Sequence, residues 1–513
     1  MKKIIAVLLA SVAGMSDVAA QTLTFDASKG VACSVTMPQG TVVDYTAYTD
    51  LYYVTDVEDS AYQYMNIFVP EGATQQTPIF MPNYVGGYMA AAARGIDAGD
   101  ASGRALAEGY VVAIPGARGR NSTVESDGKT VYTGRAPKGL LDLKAAVRYL
   151  RHFDKEMAGD AEKIITDGTS AGGAMSSLLG SSGNNPAYSG YLKAMGAADE
   201  RDDIFAAVCF CPIIDLDHAD MAYEWLYGCT NNVTRPLSDE QLAVSEELAA
   251  QFAGYVDGLN LRKPDGTRLN ADNYLDYIRR LLIESAQEAK DAGAEIADTL
   301  GFTFSSGMKF AAPVNGGRQP DMRQGKPGGM PPAQRPSPDD MPEDVKKMMK
   351  AMKNSRGEYI TDLDMTTYLN YVVTTIALKT PPAFDRQGVA GGMATGENEE
   401  FGDDSGSSVN FTPYSIKKAT GDETADIDAG TAELVRILNP MRMLEDEAST
   451  VATHWYIRHG ARDRDTAFPI PINLATRLRN MGLDVDFKLP WNRPHSGDYA
   501  LNELFEWIRG VTE

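Results

Sequence analysis

A short apolar segment of this chain leads directly into a turn rich in glycine and serine, and then into a helical pattern. The segment is 163–167, and the turn is Gly168-Thr-Ser-Ala-Gly172. The pattern G-x-S-x-G between a strand and a helix is typical of a nucleophile elbow, where a strained turn lifts a serine hydroxyl above the edge of a sheet. An ordinary turn is the alternative, because Gly and Ser are common in turns. The position between strand and helix favours the elbow and makes Ser170 the candidate nucleophile.

Strand and helix patterns alternate on both sides of this turn. Strands are predicted at 63–69, 77–81, 110–114, 163–167, 206–210, 452–457 and 485–489, and helices at 139–152, 238–256, 274–298, 472–481 and 501–508. Such alternation predicts an α/β fold with a doubly wound, mostly parallel sheet and helices on both of its faces.

The sheet pattern is interrupted by a long insertion. Residues 21–215 and 431–513 carry the alternating pattern, whereas residues 216–430 are mainly helical and rich in loops. Within the insertion, residues 312–352 are rich in Pro, Gly, Gln and Met, which predicts a flexible loop. We therefore expect a core domain in two pieces, with an inserted lid domain between them.

The first twenty residues predict a signal peptide. A basic start at residues 1–3 precedes an apolar run at 4–15 that is too short to cross a bilayer, and residues 18–20 are small. Cleavage before Gln21 would give an exported protein, either periplasmic or secreted. A buried N-terminal helix is the alternative. No later stretch is long and apolar enough to suggest a membrane span.

Charge and cysteine content exclude several classes of protein. The chain has 48 basic and 70 acidic residues and a net charge of −22, so binding to nucleic acid is not expected. A hydrophobic content of 43% argues against disorder. The four cysteines, Cys33, Cys209, Cys211 and Cys229, are too few for a disulfide scaffold. Both a bridge from Cys209 or Cys211 to Cys229 and four buried thiols remain possible.

A serine nucleophile requires a histidine base and an acid that orients it, in the chain order Ser, acid, His. His495 follows the last predicted strand, where this type of fold places its base, and the other four histidines are interpreted as structural. Asp463 and Asp465 both follow the preceding strand, so either could be the acid. An exposed loop with paired charges is the alternative for both carboxylates.

Backbone N–H groups near the elbow could bind an oxyanion. Ala171 begins the helix after Ser170, and Gly86-Gly87 follows a predicted strand at the same edge of the sheet. An ordinary glycine turn is the alternative for Gly86-Gly87, because the histidine that usually precedes such glycines is missing.

A group of acidic residues raises the question of a metal. Asp215, Asp217, His218 and Asp220 lie close together in sequence, but they are interpreted as loop residues with capping roles. Neither a metal nor a cofactor is expected.

Four longer segments resemble the bacterial tannases of the α/β-hydrolase superfamily. They are GTSAGGAMSSLLG at the elbow, CPIIDLDHADMAYEW at 211–225, PPAFD at 381–385 followed by GENEEFG at 396–402, and HWYIRHGARDRDTAF at 454–468. The resemblance implies an α/β-hydrolase fold with an inserted lid. It also implies a serine esterase that hydrolyses galloyl esters of tannins and simple alkyl gallates through an acyl-enzyme.

The resemblance also implies roles for individual residues. The triad acid corresponds to Asp463 and the base to His495, whereas Lys379, Glu397 and Asp465 would bind the hydroxyls of the galloyl ring. A glycine-rich stretch before Glu397 leaves Glu399 and Glu400 as alternatives to it. A feruloyl or general aromatic carboxylesterase is an alternative function. A non-catalytic binding protein with the same fold is an alternative of another class.

Overall fold

The computed structural model describes residues 22–231, 233, 235–308, 356–374 and 377–513. The predicted signal peptide at 1–20 and the predicted loop at 312–352 lie outside these residues.

A nine-stranded sheet forms the centre of the described chain, in the order β1-β2-β3-β5-β4-β8-β9-β12-β13. Its strands are β1 (Val31–Thr36), β2 (Val42–Tyr52), β3 (Tyr64–Pro70), β4 (Pro78–Pro82), β5 (Val111–Pro115), β8 (Asp160–Thr169), β9 (Ala206–Phe210), β12 (His454–Arg458) and β13 (Asp484–Lys488). The pairs from β1 to β5 are antiparallel, and those from β5 to β13 are parallel. The mostly parallel sheet predicted from the sequence is confirmed.

Two smaller antiparallel pairs accompany the main sheet. They are β6 (Thr123–Ser126) with β7 (Lys129–Tyr132), and β10 (Phe302–Met308) with β11 (Arg356–Leu363). The second pair lies in the inserted segment, where the sequence indicated only helices and irregular structure.

The α-helices follow in chain order. They are α1 (Ala101–Ala107), α2 (Lys138–His152), α3 (Ala171–Ser181), α4 (Ser189–Ala194), α5 (Leu216–Tyr227), α6 (Asp239–Gly258), α7 (Ala271–Asp291), α8 (Met365–Thr374), α9 (Gly396–Glu400), α10 (Pro413–Thr420), α11 (Ala429–Ile437), α12 (Pro440–Met443), α13 (Pro469–Asn480) and α14 (Leu501–Thr512).

Helices cover both faces of the sheet. Helices α1 and α14 pack their apolar residues on one face, where the Phe505 ring lies 5.5 Å from the Phe80 ring. Helices α2, α3 and α13 belong to the larger hydrophobic core on the other face, which continues into the insertion. Strands β5 and β9 are buried along their whole length, as expected for a sheet covered on both sides.

The register of the parallel strands brings their carboxyl ends to the same level. Thr169 pairs with Phe210, Phe210 with Arg458, and Arg458 with Lys488. Residues that follow β8, β9, β12 and β13 therefore meet along a single edge of the sheet, which is where ligands bind in parallel α/β folds.

The cysteines differ from both sequence expectations. All four lie in the described part of the chain and carry free thiols, so no bridge joins Cys229 to Cys209 or Cys211. Nor are all four buried, because Cys33 is half-buried and Cys229 is exposed. Of the described helices, none combines the length and apolar character that a membrane span requires.

Candidate active site

Ser170 occupies a strained turn between β8 and α3. Its φ of 62° and ψ of −121° lie in a region that residues with a Cβ rarely adopt. Backbone hydrogen bonds hold the turn: the Ser170 N–H donates to the Phe210 carbonyl at 2.9 Å, and the Ile213 N–H donates to the Ser170 carbonyl at 3.2 Å. The serine therefore has the geometry of a nucleophile elbow, at the N-terminus of a buried helix.

His495 and Asp463 form a hydrogen-bonded pair. Nδ1 of His495 lies 2.8 Å from Oδ2 of Asp463, and the other carboxylate oxygen accepts the N–H of Asp465 at 2.8 Å. A hydrogen bond from Nδ1–H leaves Nε2 free to accept a proton, which is the tautomer that a general base needs. Of the two carboxylates that the sequence left open, Asp463 is the one bonded to His495.

The charges of this pair shift both pKa values. Burial raises the pKa of Asp463, but His459 and the hydrogen bond from His495 lower it to about 2. Burial lowers the pKa of His495, but the hydrogen bond and charge of Asp463 and the charge of Asp465 raise it above its ordinary value. The carboxylate therefore stays ionised, and His495 is a stronger base than a free imidazole.

The loop that carries His495 packs against the elbow. A Cβ at Gly497 would lie only 1.7 Å from Oγ1 of Thr169, the residue before Ser170. The thiol of Cys211, which follows β9, lies 3.4 Å from the Ser496 carbonyl. The structure thus brings the His495 loop and the serine turn together at one end of the sheet.

The Gly86-Gly87 turn also lies beside the elbow. Both glycines are exposed, and Gly87 has a positive φ of 56°. The preceding Val85 carbonyl would lie 2.9 Å from a Cβ at Gly172, so only glycine fits there. Ala171, the other candidate oxyanion donor, is buried at the first position of α3. All three predicted donors therefore lie at the same edge of the sheet as Ser170.

Two of the three predicted ring-binding residues lie close to His495. Oδ2 of Asp465 is 3.9 Å from Nδ1 of His495, and the same carboxylate forms an ion pair with Arg464. Nζ of Lys379 lies 3.9 Å from the centre of the Phe384 ring, and its charge opposes protonation of His495. A carboxylate and an ammonium group therefore flank the base.

Glu397 lies on the short helix α9, on the side of the Gly86-Gly87 turn. Burial of Tyr88 is the main cause of its raised pKa, and the charge of Glu397 adds to it. Glu399 forms an ion pair with Arg120, whereas Glu400 is buried and burial raises its pKa to about 8. Among the described residues neither Glu397 nor Glu400 forms an ion pair, but Glu400 is fully buried, so the half-buried Glu397 is the candidate that a ligand can reach.

Sequence reasoning missed Arg120, which links two parts of the site. Its Nε donates to the Gly87 carbonyl at 2.8 Å, its backbone N–H donates to the Tyr88 carbonyl at 2.8 Å, and its guanidinium pairs with Glu399. Arg120 thereby fixes α9 against the glycine turn. Its position shortly after β5, at the carboxyl edge of the sheet, is the signal that could have identified it.

The acidic group that raised the question of a metal lies at the start of α5, not on a loop as expected. Nδ1 of His218 is 2.8 Å from Asp215, and the Asn439 side chain donates to Asp215 and Asp217 at 2.7 Å each. The Asp220 carboxylate instead accepts backbone N–H groups of 384 and 385. These contacts are structural, and they join α5 to neighbouring segments.

Comparisons with known proteins agree with this geometry. Residues 65–254 match the family model described as BD-FAE. The chain is similar to the solved tannase of Fusobacterium nucleatum, with 32% identity and a TM-score of 0.78 over 96% of this chain and 100% of that one. It is also similar to the tannin acyl hydrolase of Lactobacillus plantarum, with 36% identity and a TM-score of 0.77 over 96% of this chain and 99% of that one.

A further solved relative is a tannin acyl hydrolase in complex with ethyl gallate, with 36% identity and a TM-score of 0.77 over 96% of this chain and 99% of that one. Among curated proteins, no sequence matches the chain. Likeness at this identity over nearly the full length of both chains establishes the family. This protein belongs to the bacterial tannases, which are carboxylic ester hydrolases with the α/β-hydrolase fold.

Proposed function

We propose that this protein hydrolyses galloyl esters of tannins and simple alkyl gallates, with Ser170, His495 and Asp463 as its catalytic triad. The observation that most supports the triad is the Asp463–His495 hydrogen bond of 2.8 Å, because the loop that carries His495 packs against the serine turn. The relative that was solved with ethyl gallate supports the substrate class.

The proposed reaction transfers the acyl group in two halves. Nε2 of His495 takes the proton of Ser170 as Oγ attacks the ester carbonyl, and Asp463 stabilises the imidazolium that forms. The N–H groups of Ala171 and of the Gly86-Gly87 turn bind the oxyanion. His495 then protonates the leaving alcohol, and water attacks the acyl-enzyme with the same base, which releases gallic acid.

Ring recognition is assigned to the two carboxylates and the ammonium group around the site. Phenolic O–H groups donate to carboxylates, and an ammonium group donates to a phenolic oxygen. Glu397 and Asp465 provide the acceptors and Lys379 provides the donor. Since Lys379 and Glu397 belong to the inserted segment, we propose that the insertion acts as a lid that recognises the acyl group.

Loss of one ring contact should affect galloyl esters selectively. We expect K379M, E397Q and D465N each to lower kcat/KM for methyl gallate by about 10- to 100-fold, because each removes a charge-assisted hydrogen bond of about 1.5–3 kcal/mol. On 4-nitrophenyl acetate, which has no phenolic hydroxyl on its acyl group, the loss should stay below about 3-fold. Initial rates on both esters measure this difference.

The matched control for these variants is E247Q. Glu247 also lies in the insertion, but it pairs with Lys418 at the surface, 2.7 Å away. This variant should behave like the unaltered enzyme on both esters. Equal losses on both esters for all three ring variants would contradict the recognition role.

Neither alternative function gains support from the structure. A non-catalytic binding protein would be favoured if Asp463 and His495 failed to converge on Ser170. Against it, the two side chains are hydrogen-bonded to each other and the His495 loop packs against the serine turn. A feruloyl esterase handles a ring with one hydroxyl and one methoxy group, which cannot donate to both carboxylates. Methyl ferulate tested beside methyl gallate separates these activities, and a preference for ferulate would refute the proposed substrate.

We also propose that the protein is exported to the periplasm or the medium. The support is the basic start, the short apolar run and the small residues at 18–20 in the sequence. Expression of the full chain in a bacterial host, followed by N-terminal sequencing of the exported protein, should find Gln21 as the first residue. An intact N-terminus on protein confined to the cytoplasm would contradict export.

A further inference from the structure

Three side chains with metal-binding atoms meet beside the buried His459. The thiol of Cys211, a carboxylate oxygen of Asp463 and a ring nitrogen of His495 all lie within 4.8 Å of one another. Nδ1 of His459 lies 3.4 Å from Oδ2 of Asp463. The thiol, the carboxylate and the His495 imidazole form a donor set that suits Zn²⁺ and related thiophilic cations.

The strand register brings these side chains together. Cys211 and His459 are the first residues beyond β9 and β12, whose last residues pair with each other. The Cys211 N–H donates to the Arg458 carbonyl at 2.7 Å, which holds the two strand ends in contact. Cys211 and Asp463 are buried, whereas the His495 side chain is 20% exposed, so a small ion can reach the group from the His495 side.

His459 provides an independent indication of a ligand. Its side chain is fully buried, and neither ring nitrogen has a hydrogen-bond partner among the described residues. Buried polar groups are normally paired, because an unpaired one costs about 1–3 kcal/mol. The imidazole faces Asp463, and the proposed triad does not use it.

We propose that Cys211, Asp463 and His495 form an inhibitory binding site for Zn²⁺ or Cd²⁺, with the His459 imidazole beside its carboxylate ligand. Zinc binds Cys, His and Asp at about 2.0–2.3 Å, which places ligand atoms of a tetrahedral site about 3.5 Å apart. The present separations of at most 4.8 Å therefore need side-chain adjustments of about 1 Å.

Metal binding would redistribute two protons. The Cys211 thiol releases its proton to solvent and becomes a thiolate ligand. When the metal takes the place of the proton on Nδ1 of His495, that proton moves to Nε2 through water. Nε2 then has no lone pair to accept the Ser170 proton, so the metal-bound enzyme cannot form the acyl-enzyme. Inhibition should lower kcat and leave KM nearly unchanged.

Inhibition by Zn²⁺ tests this metal site. The readout is ester hydrolysis, so this test rests on the proposed triad. We expect C211S to raise the Zn²⁺ concentration that halves the rate on 4-nitrophenyl acetate by at least about 30-fold, because a hydroxyl is a poor ligand for this ion. The Cys211 thiol also contacts the triad acid Asp463, so inhibition is expressed relative to the rate of each variant without metal. C211A is the second variant, in case a hydroxyl disturbs the buried position. Mg²⁺, which prefers oxygen ligands, should not inhibit.

Two control variants test whether Zn²⁺ inhibits at this site and not at another metal-compatible group. His218, together with Asp215 and Asp217, forms the other metal-compatible group among the described residues, and Cys229 is an exposed thiol. H218N and C229S should both remain as sensitive to Zn²⁺ as the unaltered enzyme. Loss of sensitivity in H218N, or full sensitivity in both Cys211 variants, would overturn the proposal.

Binding of Cd²⁺ gives a readout that does not depend on activity. The unaltered protein, C229S and S170A should each show the ultraviolet charge-transfer absorption of a thiolate–Cd²⁺ bond at one equivalent of metal, and C211S should lack it. An active S170A that retains this absorption would refute the triad but not the metal site. Equal absorption in C211S and the unaltered protein would refute the metal site.

Discussion

Replacing Ser170 with alanine should abolish ester hydrolysis. Removal of the nucleophile of a serine triad typically lowers kcat by at least about 10⁴-fold, because the remaining groups can only assist water. The turn should survive the change, since backbone hydrogen bonds from 170 to 210 and from 213 to 170 hold it. Steady-state rates on methyl gallate and 4-nitrophenyl acetate should both fall to the level of contaminating activity.

The control for S170A is another serine-to-alanine change on the same helix. Ser177 is buried in α3, and its hydroxyl donates to the Ala174 carbonyl rather than facing the site. S177A should keep its activity on both esters, and thermal unfolding should show both variants folded. An activated phosphonate should add its mass to the unaltered enzyme and to S177A but not to S170A. Turnover by S170A above a few per cent would assign the nucleophile elsewhere.

Replacing Asp463 with asparagine should lower kcat by about 10³- to 10⁴-fold at neutral pH. The asparagine side chain would donate to Nδ1 of His495 instead of accepting from it, so that Nε2 would carry the proton and could not act as a base. The loss should be similar on methyl gallate and on 4-nitrophenyl acetate, because the defect is in the chemistry and not in ring binding.

D465N is the matched control, two residues away. This variant should retain its activity on 4-nitrophenyl acetate on the alkaline plateau of the pH–rate profile, where His495 is deprotonated. Asp465 helps to raise the pKa of His495, so removal of its charge should lower that pKa. Activity requires neutral His495 and falls as pH decreases through this pKa, so the acid limb of the pH–rate profile should move to lower pH. Equal losses in D463N and D465N on the acetate ester would mean that the acid is misassigned.

The sheet was predictable because its strands are apolar and its connections are helical. Segments 206–210 and 164–167 are continuously buried within their strands, which single-sequence reasoning detects well. Strands β1 and β2 were missed because most of their residues are only half-buried or exposed, so they form no continuous apolar run. Pairing of β10 with β11 was missed because the two strands are far apart in sequence, which leaves no local signal.

The residues of the candidate site also differ in whether the sequence could identify them. Ser170 and His495 could be chosen from their positions after strands. Position alone left Asp463 and Asp465 open; the family resemblance implied Asp463, which is the carboxylate hydrogen-bonded to His495 in the structure. Arg120 lies in none of the motifs, and His459, although it lies in the segment 454–468, was interpreted as structural. Arg120 donates a hydrogen bond to a carbonyl of a distant loop. The ring nitrogens of His459 have no hydrogen-bond partner among the described residues, which becomes visible only once the packing is known.

The place of β12 in the sheet has a consequence for how the molecule is assembled. Strand β9 is buried along its whole length, but its neighbour β12 follows only after the entire insertion. While the chain is still emerging, the edge of β9 stays open to pairing with another chain, which is a recognised aggregation hazard. An amino-terminal fragment that ends before β12 would therefore be both inactive and prone to self-association. Ester-cleaving activity can begin only when the last segment has closed the sheet.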